Sequence, residues 1–301
     1  MDKKKFKVIK DPVHGYKRLD PIPDESYISD FYQNRYYALI QKGGRAPLLR
    51  KLMSGGTVAA KERQWLCSTL YADILAVLER QELAPKQLID VGCGTGDLID
   101  LMNRSGWESI GLELAIDSAE IAREKGLRVY NLGIEEFLSK KPECVSSFSA
   151  VTLLNVLEHV PSPVELLISA KKLLANSGIL VINVPNDFNE LQLSARGINK
   201  KDPWWIAIPD HINYFSFDTL GSFLDQMGFQ TIYSQSDFPM ELFLLMGDDY
   251  IGDPELGGAC HQKRVNFEMA ISGDVRRRIY RALAEAKAGR SCLMFAKLKS
   301  H

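Results

Sequence analysis

The 301-residue chain lacks any pair of cysteines at the C-x-x-C spacing typical of structural zinc sites. Its five cysteines are an odd number, which fits a reducing cytoplasm better than a disulfide framework. The chain also lacks a net charge of either sign, since 37 basic and 38 acidic residues leave a formal charge of -1. A near-neutral chain has no general electrostatic attraction to nucleic acid or to anionic membranes. We therefore expect a cytoplasmic protein without a nucleic-acid partner.

Long apolar runs are missing as well. The longest, around residues 242–246, falls far short of the roughly 20 residues that a membrane-spanning helix needs. The charged N-terminus, residues 1–5, has no apolar signal segment behind it. We therefore expect no membrane span. Hydrophobic residues make up 46% of the chain, enough for a substantial core. The sequence leaves the oligomeric state open, a homodimer included.

Residues 87–97 read Gln-Leu-Ile-Asp-Val-Gly-Cys-Gly-Thr-Gly-Asp. The apolar, partly β-branched first half predicts a short buried strand, and the pattern after it predicts a helix. Glycines at every second position, Gly92, Gly94 and Gly96, allow the backbone to approach a ligand closely. The helix N-terminus would add free N–H groups. Together these features predict the first half of a βαβ unit with a ligand at its turn.

The spacing of these glycines bears on the identity of the ligand. A dinucleotide fingerprint is G-x-G-x-x-G, but this sequence is G-x-G-x-G, with Asp97 in place of the third fingerprint glycine. Asp90, just before the first glycine, would repel a phosphate and attract an ammonium group. Glu113 could accept hydrogen bonds from both ribose hydroxyls of either kind of cofactor, or could be a solvated loop residue. A nucleoside with an ammonium group and no phosphate, such as S-adenosylmethionine, is favoured over NAD.

Strands and helices alternate along most of the chain, which predicts a doubly wound, mostly parallel sheet of the α/β class. Seven strands are expected at residues 88–91, 109–113, 127–132, 148–154, 179–184, 229–234 and 291–298. Helices are expected at 59–82, 116–125, 162–175 and 216–227. The expected domains are an N-terminal extension or lid at 1–60, with an aromatic helical segment at 26–40, a core at 61–238 with 291–299, and an insertion at 239–290 that would cap the substrate.

The segment Asp90-Val91-Gly92-Cys93-Gly94-Thr95-Gly96 closely resembles motif I of the class I S-adenosylmethionine-dependent methyltransferases. The resemblance covers about 85–238 and the final strand, and it includes a Leu-Glu-His segment similar to that of quinone-biosynthesis O-methyltransferases. It implies a Rossmann-like sheet of seven strands, closed by an antiparallel strand at 291–298, and S-adenosylmethionine as cofactor. The cofactor-binding residues it implies are Asp90, Gly92, Cys93, Gly94, Thr95, Gly96, Glu113, Leu114, Ile134, Glu135, Asn155 and Val156.

Two of the five histidines, His159 and His211, lie at the predicted carboxyl edge of the sheet, where this fold binds its substrate. Histidine titrates near neutral pH, so either could remove a hydroxyl proton. We expect His211 to be the base, with His159 as the second candidate. The alternatives are that His159 is held by backbone and that His211 only fixes its loop.

The pair Glu158-His159 with His211 is similar to the metal-binding set of small-RNA 2′-O-methyltransferases and of some quinone O-methyltransferases. Those enzymes have a further glutamate three positions before the Glu-His pair, where this chain has Asn155. A neutral amide is a weaker ligand for a hard cation. We therefore expect no metal requirement.

We expect O-methylation of a small hydroxylated molecule, such as a sugar or nucleotide sugar. The flanking segments resemble bacterial methyltransferases of carbohydrate pathways. Alternatives are an RNA or protein methyltransferase, an NAD-dependent oxidoreductase and a catalytically silent Rossmann-like scaffold. Within the insertion, His261, Arg264 and Glu268 would either bind a polar substrate or, as i and i+4 charges, form a solvated helix face.

Overall fold

The computed structural model describes residues 6–24, 50–52 and 54–299. The predicted aromatic lid segment at 26–40 therefore lies outside the described residues. Ten strands are present in the described part of the chain, in two sheets. They are β1 Lys7–Lys10, β2 Lys17–Asp20, β3 Gln87–Val91, β4 Glu108–Leu112, β5 Val129–Tyr130, β6 Phe148–Leu154, β7 Leu174–Pro185, β8 Asn213–Tyr214, β9 Phe229–Gln235 and β10 Ser291–Leu298.

The larger sheet has seven strands in the order β5-β4-β3-β6-β7-β10-β9. β3 pairs in parallel with both β4 and β6, and β4 pairs in parallel with β5. β10 pairs antiparallel with β9, with a register shift between Phe295 and Ala296. The predicted doubly wound, mostly parallel sheet closed by an antiparallel strand is therefore confirmed.

The described residues contain eleven α-helices and a short 3-10 helix at Pro142–Cys144. The α-helices are α1 Gly56–Ser68, α2 Leu70–Glu79, α3 Asp97–Arg104, α4 Ile116–Glu124, α5 Ile134–Lys140, α6 Pro163–Leu173, α7 Glu190–Asn199, α8 Phe217–Gln226, α9 Glu241–Leu245, α10 Pro254–Ala270 and α11 Gly273–Glu285. The prediction of a single helix at 59–82 is wrong, because the helix is interrupted at Thr69 and continues as α2. The Thr69 hydroxyl donates to the Trp65 carbonyl oxygen at 2.7 Å, a local bond that competes with regular helix geometry.

β7 begins earlier than expected. The sequence predicts a helix to residue 175 and a turn at Asn176-Ser177-Gly178, but α6 ends at Leu173 and β7 runs through that turn sequence. Leu174 is 1% exposed, so burial in the sheet outweighs the local turn preference of three polar or small residues.

The described residues fall into two compact units. One comprises Pro23–Leu154 and Val164–Leu180, and it contains β3 to β6 with the glycine turn. Its core is built on the fully buried residues of β3, Leu88 and Ile89. Each such side chain contributes roughly 1.5–3 kcal/mol on leaving water.

The other unit comprises Met1–Ile22, Asn155–Pro163 and Val181–His301. It contains the smaller sheet, in the order β1-β2-β8, together with β9 and β10. Phe6, Leu19 and Tyr214 form a buried cluster within it, so residues 6–19 pack on a segment nearly 200 residues later. No helix among the described residues is long and apolar enough to cross a membrane.

Candidate functional site

The glycine turn after β3 is held in place by Asp97, the first residue of α3. The Asp97 carboxylate accepts hydrogen bonds from Arg63 Nε at 2.6 Å, Lys125 Nζ at 2.7 Å and the Thr95 hydroxyl at 2.8 Å. Lys125 also donates to the Thr95 carbonyl oxygen at 2.7 Å. An acidic residue here also suits the positive end of the helix dipole. The residue that distinguishes this turn from a dinucleotide fingerprint is thus its structural anchor.

The three glycines of the turn, Gly92, Gly94 and Gly96, have φ values of 76°, 53° and 76°, in the region that favours glycine. A Cβ atom added at Gly94 would meet nothing within 4 Å, so open space lies directly above that backbone. At Gly96, in contrast, an added Cβ would lie 2.6 Å from Leu127 Cδ1. Gly94 therefore leaves room for a ligand, whereas Gly96 is needed for packing.

Asp90 lies at the carboxyl end of β3 and is 3% exposed. Thr152 on the neighbouring strand β6 stands opposite it in register and donates to Asp90 Oδ1 at 2.6 Å. Burial raises the pKa of Asp90 to about 7, and the nearby Glu113 carboxylate adds to this, while the Thr152 bond opposes it. An ammonium group beside Asp90 would favour the ionised form and remove much of this cost. Sequence reasoning missed Thr152, whose signal was a hydroxyl in the apolar run of residues 150–154.

Glu113, just after β4, holds the glycine turn from the opposite side. Its Oε2 atom accepts from the Gly94 backbone N–H at 2.8 Å, and its Oε1 atom accepts from the Ala115 N–H at 2.8 Å. Burial raises its pKa, although these backbone bonds oppose the effect. A carboxylate held at the turn still has lone pairs that could accept from ribose hydroxyls. The expected contact with the ribose stays a prediction.

The remaining predicted residues of this unit lie around the same turn or after β5. Leu114 is 60% exposed and follows Glu113 directly, so it is available to a ligand. Cys93 is buried, and burial raises the pKa of its thiol. Ile134 is also buried, at the start of α5, while Glu135 is exposed and its Oε1 atom lies 3.4 Å from the Ser169 hydroxyl.

Sequence reasoning missed Gly111 in the middle of β4. A Cβ atom there would lie 2.5 Å from Cys93 Sγ and 2.6 Å from Ile99 Cδ1. The signal was a glycine inside a predicted strand, which often marks a close approach of neighbouring atoms.

Asn155 and Val156 belong to the other unit, in the segment that follows β6. Asn155 has a φ of 56°, uncommon for a residue with a side chain. Its backbone N–H donates to the Asn183 carbonyl oxygen at 2.8 Å, and its side-chain oxygen accepts from Asn183 Nδ2 at 3.2 Å. Both bonds fix an exposed Asn155 at the end of the strand.

The same segment continues into Glu158 and His159, which meet the loop that carries His211. His159 Nδ1 lies 2.7 Å from the Asp210 carbonyl oxygen, and the two imidazole rings make an edge contact with centroids 4.9 Å apart. Because a carbonyl oxygen only accepts hydrogen bonds, Nδ1 of His159 carries the proton. In the neutral ring Nε2 is then the unprotonated nitrogen. Burial lowers the pKa of His159, which favours the neutral ring. His159 is thus tied to backbone.

Glu158 is 1% exposed, and burial raises its pKa to about 8. Within the described part of the chain, its Oε2 atom has no hydrogen-bond partner. Glu158, His159 and His211 each offer one ligand atom, and these atoms lie within 4.8 Å of one another. Two imidazoles and a carboxylate suit a transition metal, so these residues fit a divalent cation. The expectation of no metal requirement stays a prediction.

Comparison with known proteins identifies the family of this chain. The family model described as Methyltransferase domain matches residues 60–234, more than half of the chain. The chain belongs to this methyltransferase family.

Two ubiquinone biosynthesis O-methyltransferases are among its relatives. That of Actinobacillus pleuropneumoniae serotype 5b is 34% identical over 108 residues, 34% of this chain and 46% of the relative. That of Histophilus somni is 33% identical over 111 residues, 35% and 47% respectively. This methyltransferase therefore matches about half the length of these curated relatives.

Solved structures share its fold. A SAM-dependent methyltransferase from Archaeoglobus fulgidus aligns over 88% of this chain and 100% of its own, with a TM-score of 0.53 at 19% identity. The plantazolicin methyltransferase BpumL in complex with SAH aligns over 90% and 94%, with a TM-score of 0.52 at 12% identity. The cofactor of this methyltransferase is S-adenosylmethionine, and an anchored glycine turn with open space above Gly94 is compatible with it.

The insertion of this methyltransferase differs from expectation. Arg264 and Glu268 of α10 are 8% and 1% exposed, so the alternative of a solvated helix face is wrong. Arg264 donates to Glu268 Oε1 at 3.1 Å and to Asp237 Oδ2 at 3.0 Å, and the Tyr280 hydroxyl of α11 donates to Glu268. This buried network joins the two insertion helices to the end of β9. Its side chains are committed to one another, which argues against substrate binding by them.

Proposed function

We propose that this methyltransferase O-methylates a small hydroxylated molecule, with sugars and nucleotide sugars as the first class to test. S-adenosylmethionine supplies an activated methyl group on a sulfonium. The chain's own residues must hold the acceptor hydroxyl in line with that methyl group and take up its proton. Asp90, Gly94 and Glu113 are proposed to hold the cofactor, with Leu114 beside the nucleoside.

The observation that supports hydroxyl chemistry best is the edge contact between His159 and His211 beside buried Glu158. His159 is tied to the Asp210 carbonyl oxygen, so we assign the base to His211, whose backbone N–H is held by the Ala207 carbonyl oxygen at 2.8 Å. An imidazolium formed when the hydroxyl proton is removed would favour the ionised form of Glu158, and that carboxylate would in turn stabilise the imidazolium. Methylation of a hydroxyl group needs such a base to remove the hydroxyl proton.

The relatives' names include O-methyltransferase, which favours O-methylation too, and we take small phenols as a second acceptor class. The flanks outside the matched residues 60–234 resemble carbohydrate enzymes, so we place sugars first. RNA methylation is less favoured because the net charge of -1 offers no general attraction to a polyanion. Protein methylation is the other alternative, and the assay below includes peptides to test it.

The test is a transfer assay with radiolabelled S-adenosylmethionine against sugars, nucleotide sugars, catechols, RNA and peptides. Once an acceptor is known, we expect His211→Asn to lower kcat by roughly 10²–10⁴-fold, with cofactor affinity unchanged by calorimetry. His261→Asn in α10 is the matched control and should retain wild-type turnover. Near-normal turnover by a folded His211→Asn enzyme would move the assignment to His159. Transfer only to RNA or peptides would refute the small-molecule proposal.

A further inference from the structure

The strand β8 begins two residues after His211 and is bound along both edges. On one edge β2 pairs with it, Lys17 opposite Tyr214 and Arg18 opposite Asn213, and the Leu19 N–H donates to the Ile212 carbonyl oxygen at 2.8 Å. On the other edge the chain leaving β7 forms a parallel bridge between Asn186 and Phe215.

The position of β8 also sets the position of the histidine pair. The backbone N–H groups of Ile212 and Asn213 donate to the Glu158 carbonyl oxygen at 2.7 and 3.0 Å. The Asn213 side chain donates to the Leu157 and Val160 carbonyl oxygens at 3.0 and 2.8 Å. A displacement of β8 would therefore be transmitted to the segment of His159 as well as to His211.

Lys17 is the side chain that links the two edges. It is half-buried on β2, and its Nζ atom lies 3.5 Å from the centroid of the Phe188 ring, beyond β8. Phe188 has a φ of 59°, a strained conformation for an aromatic residue that its surroundings must hold. A cation over an aromatic face is attracted by the ring quadrupole, so Lys17 binds the loop after β7 to the N-terminal hairpin β1–β2.

The Lys17 ammonium group also interacts electrostatically with Asp187, the residue before Phe188. Asp187 is 4% exposed, and in the described residues its Oδ2 atom has no hydrogen-bond partner. Burial raises the pKa of its carboxyl group and the Glu241 carboxylate adds to this, whereas the Gln192 side-chain contact and the cations Arg290 and Lys17 favour ionisation. The Asp187 carboxylate in turn raises the pKa of Glu158. Lys17 therefore offsets part of the buried negative charge that the ionised Asp187 carboxylate carries.

We propose that Lys17 is a positioning residue of the active site: by contacting Phe188 and offsetting the charge of Asp187 across β8, it fixes the strand that directly follows the loop of His211. This gives a role to the hairpin β1–β2, which lies outside residues 60–234. The proposal rests on the proposed function only for the part that concerns turnover.

The experiment uses the full chain with four substitutions. Lys17→Met removes the charge and keeps the length, Lys17→Gln is a second neutral variant in case the first does not fold, and Lys17→Arg restores a cation. Lys10→Met is the matched control, because Lys10 stands directly opposite Lys17 in the same hairpin and is exposed. Each variant is measured for kcat, KM, cofactor affinity and the carboxyl ¹³C titration of Asp187, assigned with Asp187→Asn.

We expect the neutral Lys17 variants to lose about 10–100-fold in kcat, as a misplaced reacting group does, with KM for the acceptor and cofactor affinity within twofold of wild type. The Asp187 titration should move to higher pH because a neighbouring cation is gone. Lys17→Arg should recover most of the turnover and of the titration. Lys10→Met should match the wild type in every measurement.

Wild-type turnover together with an unmoved Asp187 titration in folded Lys17→Met or Lys17→Gln would overturn the inference, and so would equal losses in Lys10→Met. If the wild type methylates no acceptor tested, the proposed function fails and the titration decides alone. An upward shift in the neutral Lys17 variants, absent in Lys10→Met, then supports the link between Lys17 and Asp187, and an unchanged titration refutes it.

Discussion

Replacing Glu113 separates two roles that the structure gives to one carboxylate. In Glu113→Ala the backbone N–H groups of Gly94 and Ala115 both lose a charged acceptor. Hydrogen bonds to charged groups contribute about 1.5–3 kcal/mol each, so the two together are worth about 3 kcal/mol at the low end of that range. At about 2–4 °C per kcal/mol for a domain of this size, Tm should fall by roughly 6–12 °C. Glu113→Gln keeps one acceptor oxygen and should lose less.

The ribose contact adds a separate loss. If Glu113 also accepts from ribose hydroxyls, cofactor affinity should weaken by about 10- to 150-fold, the equivalent of the same 1.5–3 kcal/mol. Thermal melts of the cofactor-free protein report the first role, and calorimetric titration with S-adenosylmethionine reports the second. The exposed Glu108→Gln, on the strand that precedes Glu113, should change neither quantity.

Two results would refute this reasoning. An unchanged Tm in Glu113→Ala would mean that the carboxylate does not brace the turn. A lowered Tm with cofactor affinity within twofold of wild type would limit Glu113 to bracing the turn and remove it from the cofactor contacts.

Three further outcomes are expected. Activity should survive EDTA, because Asn155 is a weak ligand for a hard cation; loss that magnesium or manganese restores would contradict this. Burial raises the pKa of Asp187 to about 8 from the ordinary 3.8, so its proton stabilises the fold below about pH 4 and that stability is lost as pH rises toward 8. Asp187→Asn should therefore gain relative to wild type between about pH 4 and 8 in denaturant unfolding, by at most about 1.4 kcal/mol per pH unit, and a constant difference would show that Asp187 is not the group responsible. Tyr280→Phe should cost about 1–3 kcal/mol of unfolding free energy because buried Glu268 loses a donor, and Tyr233→Phe, on a half-buried ring, should cost less in the same melts.

The parts of the fold that sequence reasoning predicted are those with strong local patterns. The strand at 148–154 and the strand at 291–298 have the predicted bounds, since both are runs of mainly apolar residues. The helix expected at 116–125 is α4, and Gly126 just after it has a φ of 81°, a conformation that often ends a helix. Glycine spacing and Asp90 identified the methyl donor because steric freedom and charge can be read from residue type alone.

The parts that it missed depend on partners distant in sequence. β1 and β2 have four residues each and alternate weakly, so no short-range signal marks them as strands. Their pairing is completed by β8, nearly 200 residues later. The burial of Asp187 and Glu241 was equally unreadable, since an isolated Asp or Glu is usually exposed. Tertiary packing decides such positions.

The strand order has a consequence for synthesis of the chain. β9 joins the larger sheet through β10, which lies between β7 and β9. About 55 residues, which include helices α9 to α11, separate β9 from β10 in sequence. On the ribosome, β9 therefore emerges with no sheet edge to join, and it must wait until residue 298 is available. During this interval the edges of β7 and β9 are both unpaired, and unpaired strand edges promote aggregation. We expect nascent chains stalled between residues 236 and 290 to depend on chaperones more than chains released at full length.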